Sequence, residues 1–352
     1  MVSALWTLQA RDQYAAALLA DRGYVPQIAS QQPQPIPGTY EEALSRVHEQ
    51  AHTGIATFMP TSSDSVLSKD MLRRSSALGY GAIVSNDGWV AVDAEVFADV
   101  KNPENSVEVW VNGTRYAIAS LVYDTLTSLV MVRTTAVRVL PLGFAETGGV
   151  RSGSLMFAVD GDGAVLPVSV QDSDAEIIVG AQPSERFETQ WLLQSAAFAV
   201  SAPLLNGSGE LAGFTHQGNA TVLPLHHALG ALRTAMKTNA VPHAALGAYV
   251  VNLADAYSLS ADVTHSLRAG ALVLSPDGVI HATVRGGPAA TAGFAQKDII
   301  LAVDGEPLTE STSLAEILSL YRPGDTAICT VLRGDETITL SVVLGDTATL
   351  VY

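Results

Sequence analysis

Few residues in this chain have the type and spacing that chemistry needs. His226 and His227 are adjacent at the start of an expected helix, where neighbouring side chains point apart, and no third ligand follows. His48 and His52 stand four apart on a possible helical face, without the glutamate pattern of a zinc protease, and read as solvated. Asp160-Gly161-Asp162-Gly163 is a turn and not a calcium loop, because the later ligands and the closing glutamate are missing. The single cysteine, Cys329, cannot form an internal disulfide, and its place in the apolar run 326–332 makes it a buried structural thiol. No metal and no cofactor is expected. Two serines, Ser201 and Ser208, lie in the stretch around which the chain is organised, Ala199-Val200-Ser201-Ala202-Pro203-Leu204-Leu205-Asn206-Gly207-Ser208-Gly209-Glu210-Leu211-Ala212-Gly213-Phe214. A serine becomes a nucleophile only beside a base that takes its proton.

The elements that would position it are strands. The stretch 199–214 sets two apolar runs around a turn at Asn206–Gly209, a hairpin pattern. A second hairpin joins Gly81–Ser85 to Trp89–Val92 through Asn86-Asp87-Gly88, and further strands are expected at 54–59, 106–111, 115–123, 128–133, 154–158 and 165–170. Many short strands at close spacing indicate a sandwich or barrel. Helices are expected at 3–22, at 40–51 with Thr39 as N-cap and Glu42 completing a capping box, and at 226–237. Residues 25–38 carry four prolines and read as an extended linker.

Composition bounds the partners. With a formal charge of −16 the chain repels nucleic acid and anionic membrane surfaces. An apolar fraction of 48% over 352 residues allows two well-formed cores, and no apolar run is long enough to span a bilayer.

Residues 53–237 resemble the trypsin-like serine proteases of the high-temperature-requirement A (HtrA) family. Pro203, Leu204, Asn206, Gly209, Glu210, Leu211 and Gly213 keep the frame of that family's nucleophile segment, and Leu78–Val90 is similar to its hairpin before the catalytic histidine. In the register of the resemblance, Glu95 stands at the histidine position, Ser128 at the aspartate and Val200 at the serine. Moving by one residue to Ser201 supplies a hydroxyl, but no histidine lies in the hairpin where the base belongs, and a glutamate, with an ordinary pKa near ~4.3, is a poor base for it. Trp191–Phe198 resembles the segment leading to the oxyanion hole, in a loop about two residues shorter than the family's.

Residues 245–352 resemble a PDZ domain. Gly286–Leu308 follows the family's Gly-Ser-Pro-Ala-Ala-x-Ala-Gly pattern through Asp298-Ile299-Ile300 to Val303-Asp304-Gly305, with Lys297 in place of a glycine. The resemblance places a carboxylate-binding loop at Leu246, Gly247 and Ala248, and a groove-lining helix at 313–320 with Leu314, Ile317 and Leu318 on one face. Residues 269–274 and 278–284 around Ser275-Pro276-Asp277 read as an extra hairpin. The expected fold is mainly β: a trypsin-like double β-barrel over 39–237, a linker at 238–244, then the PDZ domain, with a helix at 1–24 and the Pro/Gln-rich linker at 25–38 ahead of them. The resemblance implies a protein of the bacterial cell envelope, tethered or free, either trimeric or joined to membrane-complex partners, whose PDZ groove takes peptide or protein C-termini. With the three catalytic positions changed, the expectation is a pseudoprotease, not an enzyme, serving as a binding or scaffold subunit. The alternatives are an active serine endopeptidase with a displaced site and a chaperone-like holdase of unfolded proteins.

Overall fold

The computed structural model describes residues 37–61, 73–136, 139–145, 150–161, 163–176, 180–187, 189–194, 200–216, 220–254, 256, 259–310 and 312–352. The helix expected at 3–22, nearly all of the linker at 25–38 and the shortened loop at 195–199 lie outside them. The described chain forms two compact units, one of Gln27–Ile177 with Thr189–Val241, the other including Ile178–Glu188 with Pro242–Tyr352.

The first unit opens with the helix Tyr40–Gly54. Thr39 caps it by accepting from the Glu42 N–H, while Glu42 reaches back to the Gly38 N–H, one residue beyond the expected capping box. Six antiparallel strands then close a barrel: β1 (Ile55–Pro60), β2 (Gly79–Ile83), β3 (Trp89–Asp93), β4 (Val107–Val111), β5 (Thr114–Asp124) and β6 (Leu129–Thr134), in the order β1-β2-β3-β6-β5-β4. Every residue of β2 and β3 is buried, because one face fills the barrel and the other packs outward on the next core. A second, six-stranded sheet runs β12-β11-β7-β8-β10-β13. Its members are β7 (Leu155–Val159), β8 (Val165–Glu176), β10 (Thr189–Leu193), β11 (Ala202–Leu205), β12 (Leu211–Thr215) and β13 (Thr221–Val222). The hairpin expected over 199–214 is β11–β12, turned at Asn206, whose side chain accepts from the Ser208 and Glu210 N–H groups. The helix expected at 226–237 begins as a tighter turn, Leu225–Ala228, and continues as Leu229–Thr238.

The second unit is a seven-stranded sheet with short helices. Its strands are β9 (Gln182–Pro183), β15 (Tyr249–Asn252), β16 (Ala271–Val273), β17 (Ile299–Val303), β18 (Glu306–Pro307), β19 (Thr326–Arg333) and β20 (Glu336–Val343); β14 (Ala244–Ala245) pairs separately with β21 (Gly345–Asp346). Its helix Leu314–Leu318 carries a complete capping box between Ser313 and Glu316. Lys297 adopts φ +75°, the left-handed conformation for which a glycine is the usual choice. Cys329 is buried, and burial with the Asp304 charge pushes its thiol up to about 12, as a structural thiol requires. The hairpin expected over 269–284 is not formed. β16 pairs with β15 and β17 instead, and Asp277 turns the following residues by accepting from the Val279 and Ile280 N–H groups. Apolar residues on both sides of a Pro-Asp turn gave a hairpin pattern, but β17 offered β16 a better-buried partner.

The turn between β2 and β3 depends on Gly88, at φ +94°, where an added Cβ would lie 2.4 Å from the Ala136 carbonyl oxygen. We expect Gly88→Ala to lower the unfolding free energy by about 2 kcal/mol or more. Urea melts read this directly; an unmoved midpoint would mean that the turn relaxes without cost.

Candidate active site and peptide groove

Asp93 ends β3 and caps the tight turn Ala94–Phe97, its Oδ1 accepting from the Glu95 N–H at 2.9 Å. The cap turns the chain so that Glu95 meets Ser201, which donates from Oγ to Glu95 Oε2 at 3.1 Å. Ser201 is held from its backbone, since its carbonyl accepts from the Tyr80 N–H at 2.9 Å. The residue after β12, His216, brings Nδ1 to 2.9 Å from Asp93 Oδ2, a close charge contact outside hydrogen-bond alignment. Asp93, Glu95 and His216 each place one potential ligand atom within 4.8 Å of the others. Burial opposes protonation of His216, but Asp93 beside it and the Glu95 charge outweigh that, and its pKa is raised. A serine hydroxyl, a carboxylate that accepts from it and an imidazole–carboxylate pair therefore meet on the ends of three elements. This set has the chemistry of acyl transfer. The same three ligating groups could also hold a cation, although Ser201 and the Asp93 cap already use two of their oxygens.

The three positions singled out by the sequence separate here. Glu95 is in the cluster. Val200 is half-buried and packs its side chain on the core next to it. Ser128 is exposed on the β5–β6 turn at φ +56°, and only its carbonyl takes part, accepting from the Ala94 N–H at 2.8 Å and so bracing the turn that carries Glu95. Sequence reasoning sought a histidine in the first barrel and so missed His216, which arrives from the other sheet, and Asp93, which reads as a strand-end residue. The one available signal was a polar Thr215-His216 pair closing a fully buried strand.

In the second unit Leu246, Gly247 and Ala248 form a tight loop before β15, with Gly247 at φ +73°. A Cβ there would come within 3.2 Å of Leu350 and 3.3 Å of Pro288. The Leu246 and Gly247 N–H groups both donate to Glu185 Oε1, at 2.6 and 3.0 Å. Ala248 donates to Ser184 Oγ at 3.4 Å, and the Ser184 N–H donates to the Ala248 carbonyl at 2.8 Å. Leu314, Ile317 and Leu318 join Leu246 and Ala248 in one hydrophobic cluster and are all buried.

Residues 244–344 match the family model of the PDZ domain. Over 293 residues the chain is 26% identical to a probable periplasmic serine endoprotease, DegP-like, of Halomonas elongata, covering 78% of this chain and 57% of that protein. It is 25% identical over 288 residues to the putative serine protease HhoA of Synechocystis, covering 77% and 71%. Among solved structures, the HtrA-type protease AlgW with a decapeptide superposes with a TM-score of 0.62 at 18% identity, over 86% of this chain and 98% of that one. The chain has the HtrA fold. Trypsin-like barrels are followed by a PDZ domain, and the chain spans little more than half the length of the DegP-like relative. The expectation that this HtrA-like chain is no enzyme is corrected, because its relatives are named serine endoproteases. They favour the endopeptidase alternative over a scaffold. The expectation rested on the family frame followed residue by residue, in which Ser201 lies one strand position and His216 one sheet away from the catalytic positions.

The raised pKa of His216 ties the cluster to pH. Its pairing with Asp93 stabilises the fold fully below the unfolded histidine value of about 6.5 and is lost as pH rises through the higher folded value. Urea melts from about pH 6 to about pH 9 should show stability falling along this course, and His216→Asn should remove that part of the slope. An identical pH profile in the variant would place the titration elsewhere.

Proposed function

We propose that this chain is a serine endopeptidase of HtrA type with a displaced nucleophile, Ser201, working outside the cytoplasm, and that its PDZ domain holds peptide C-termini at Leu246, Gly247 and Ala248. The observation that carries the reading is the Ser201–Glu95 hydrogen bond, a hydroxyl already committed to a carboxylate acceptor. In the reaction, Oγ attacks the scissile carbonyl carbon as its proton passes to Glu95. The C–N bond then breaks, Glu95 returns the proton to the leaving amine, and water hydrolyses the acyl-enzyme in the reverse sense. His216, held against Asp93, lies beside Glu95 and brings a second proton-carrying group to the cluster. Ser201 is only 3% exposed, so the cycle includes an opening step that admits the substrate. The periplasmic designation of the relatives supports the compartment.

Casein digestion with fluorophosphonate labelling tests this reading. We expect slow labelling on Ser201, none in Ser201→Ala, and a loss of casein turnover of about 100-fold or more in Glu95→Gln, the span of a general base. Full turnover in Ser201→Ala would overturn the assignment of the nucleophile. For the groove, Gly247→Val should weaken C-terminal peptides by roughly 1.5–3 kcal/mol, the range of hydrogen bonds to a charged group; unchanged affinity in isothermal titration would move the site elsewhere.

A further inference from the structure

Residues 181–185 meet the contacts that a bound peptide end would use beside Leu246–Ala248. β9 lies antiparallel along β15, with Pro183 opposite Tyr249 and Gln182 opposite Val250, so it extends the sheet as an added strand does. Ser184 follows, its N–H on the Ala248 carbonyl, in the place of a last residue. The chain then turns, and the Glu185 carboxylate folds back onto the Leu246 and Gly247 N–H groups, where a terminal α-carboxylate would sit. Glu185 is 3% exposed and Ser184 1%. The Tyr352 hydroxyl donates to the second Glu185 oxygen, and its ring stands edge-on to Tyr249. Burial and the Glu185 charge push the Tyr352 phenol up, which keeps that donor protonated.

We propose that residues 181–185 are an internal ligand of this groove, the side-chain carboxylate of Glu185 standing in for a C-terminal one. A peptide C-terminus then binds only by displacing it, because two carboxylates cannot share the same two amides without repelling each other. Ser184 also sets the ligand class: its enclosed site suits an extended peptide with a small last residue. The inference rests on the proposed reading of Leu246–Ala248 as the carboxylate loop.

The probe is a dye-labelled Gly-Ala-Gln-Pro-Ser peptide with a free α-carboxylate, copying Gly180–Ser184, together with its C-terminal amide. Both are titrated by fluorescence anisotropy into the full chain and into its Glu185→Ala and Glu185→Gln variants, and amide exchange at Leu246 and Gly247 is followed in parallel. We expect the free-acid peptide to bind Glu185→Ala at least about tenfold more tightly than the unaltered chain, with Glu185→Gln between them. The amide should not gain. Exchange at Leu246 and Gly247 should accelerate about tenfold or more in Glu185→Ala and slow again with the free-acid peptide. Equal affinity together with unchanged exchange would overturn the internal ligand while leaving the loop reading in place. Equal binding of acid and amide in every variant would overturn both. If neither peptide binds, exchange alone decides: faster in Glu185→Ala supports the proposal, and unchanged overturns it.

Discussion

Buried backbone N–H groups need acceptors, and in this molecule buried carboxylates supply them at four sharp turns. Asp93 accepts at the turn after β3, Asp124 from the Leu126 and Thr127 N–H groups at the end of β5, and Asp298 from Ala295 before β17. Glu185 does the same for the loop at Leu246 and Gly247. An ion in such a place costs several kcal/mol of desolvation unless its oxygens are occupied. Asp298 meets that condition with both oxygens on Arg333, and Asp124 with the Thr127 hydroxyl. Asp93 has one oxygen on the cap and the other against a histidine with a raised pKa. Among these four, Asp93 is the carboxylate that faces a histidine.

That arrangement explains why changes at the family's catalytic positions do not empty the region of chemistry. A carboxylate at position 95 accepts from a hydroxyl as an imidazole would, and the adjacent serine presents that hydroxyl once the strand register shifts by one. The shift leaves Val200 free to pack on the core. The imidazole reaches the cluster from the strand paired with the serine's own, because β11 and β12 run side by side from residue 202 to residue 215.

Most strands were legible because each pairs with a near neighbour across a turn whose residues announce it, as at Asn86-Asp87-Gly88 and Asn206–Gly209. The PDZ helix was legible through the resemblance and the shared apolar face of Leu314, Ile317 and Leu318, and the Lys297 departure through the backbone angle its position demands. β9 was not. It has two residues, one of them proline, and its partner β15 lies far along the chain, so neither periodicity nor turn chemistry marks it. The candidate cluster was half legible: Glu95 and Ser201 were in view, but Asp93 and His216 gain meaning only when sheet pairing brings distant strand ends together. The false hairpin at 269–284 shows the converse, a good local pattern outcompeted by a better tertiary partner.

The origin of β9 has a consequence for how this protein is made. The stretch joining β8 to β10 belongs to the same compact unit as residues 242–352. That unit is therefore discontinuous in sequence, and its sheet cannot be completed as a ribosome releases the barrel strands. The edge of β15 and the amides of Leu246 and Gly247 find their partners only after a loop spanning all of β10 to β13 has closed, a non-local step of the kind that slows folding. A fragment cut at residue 241 would be a different object from the domain in the whole chain. It would lack a strand and a buried anion, and the cradle it showed to solvent would be one that the intact protein keeps filled.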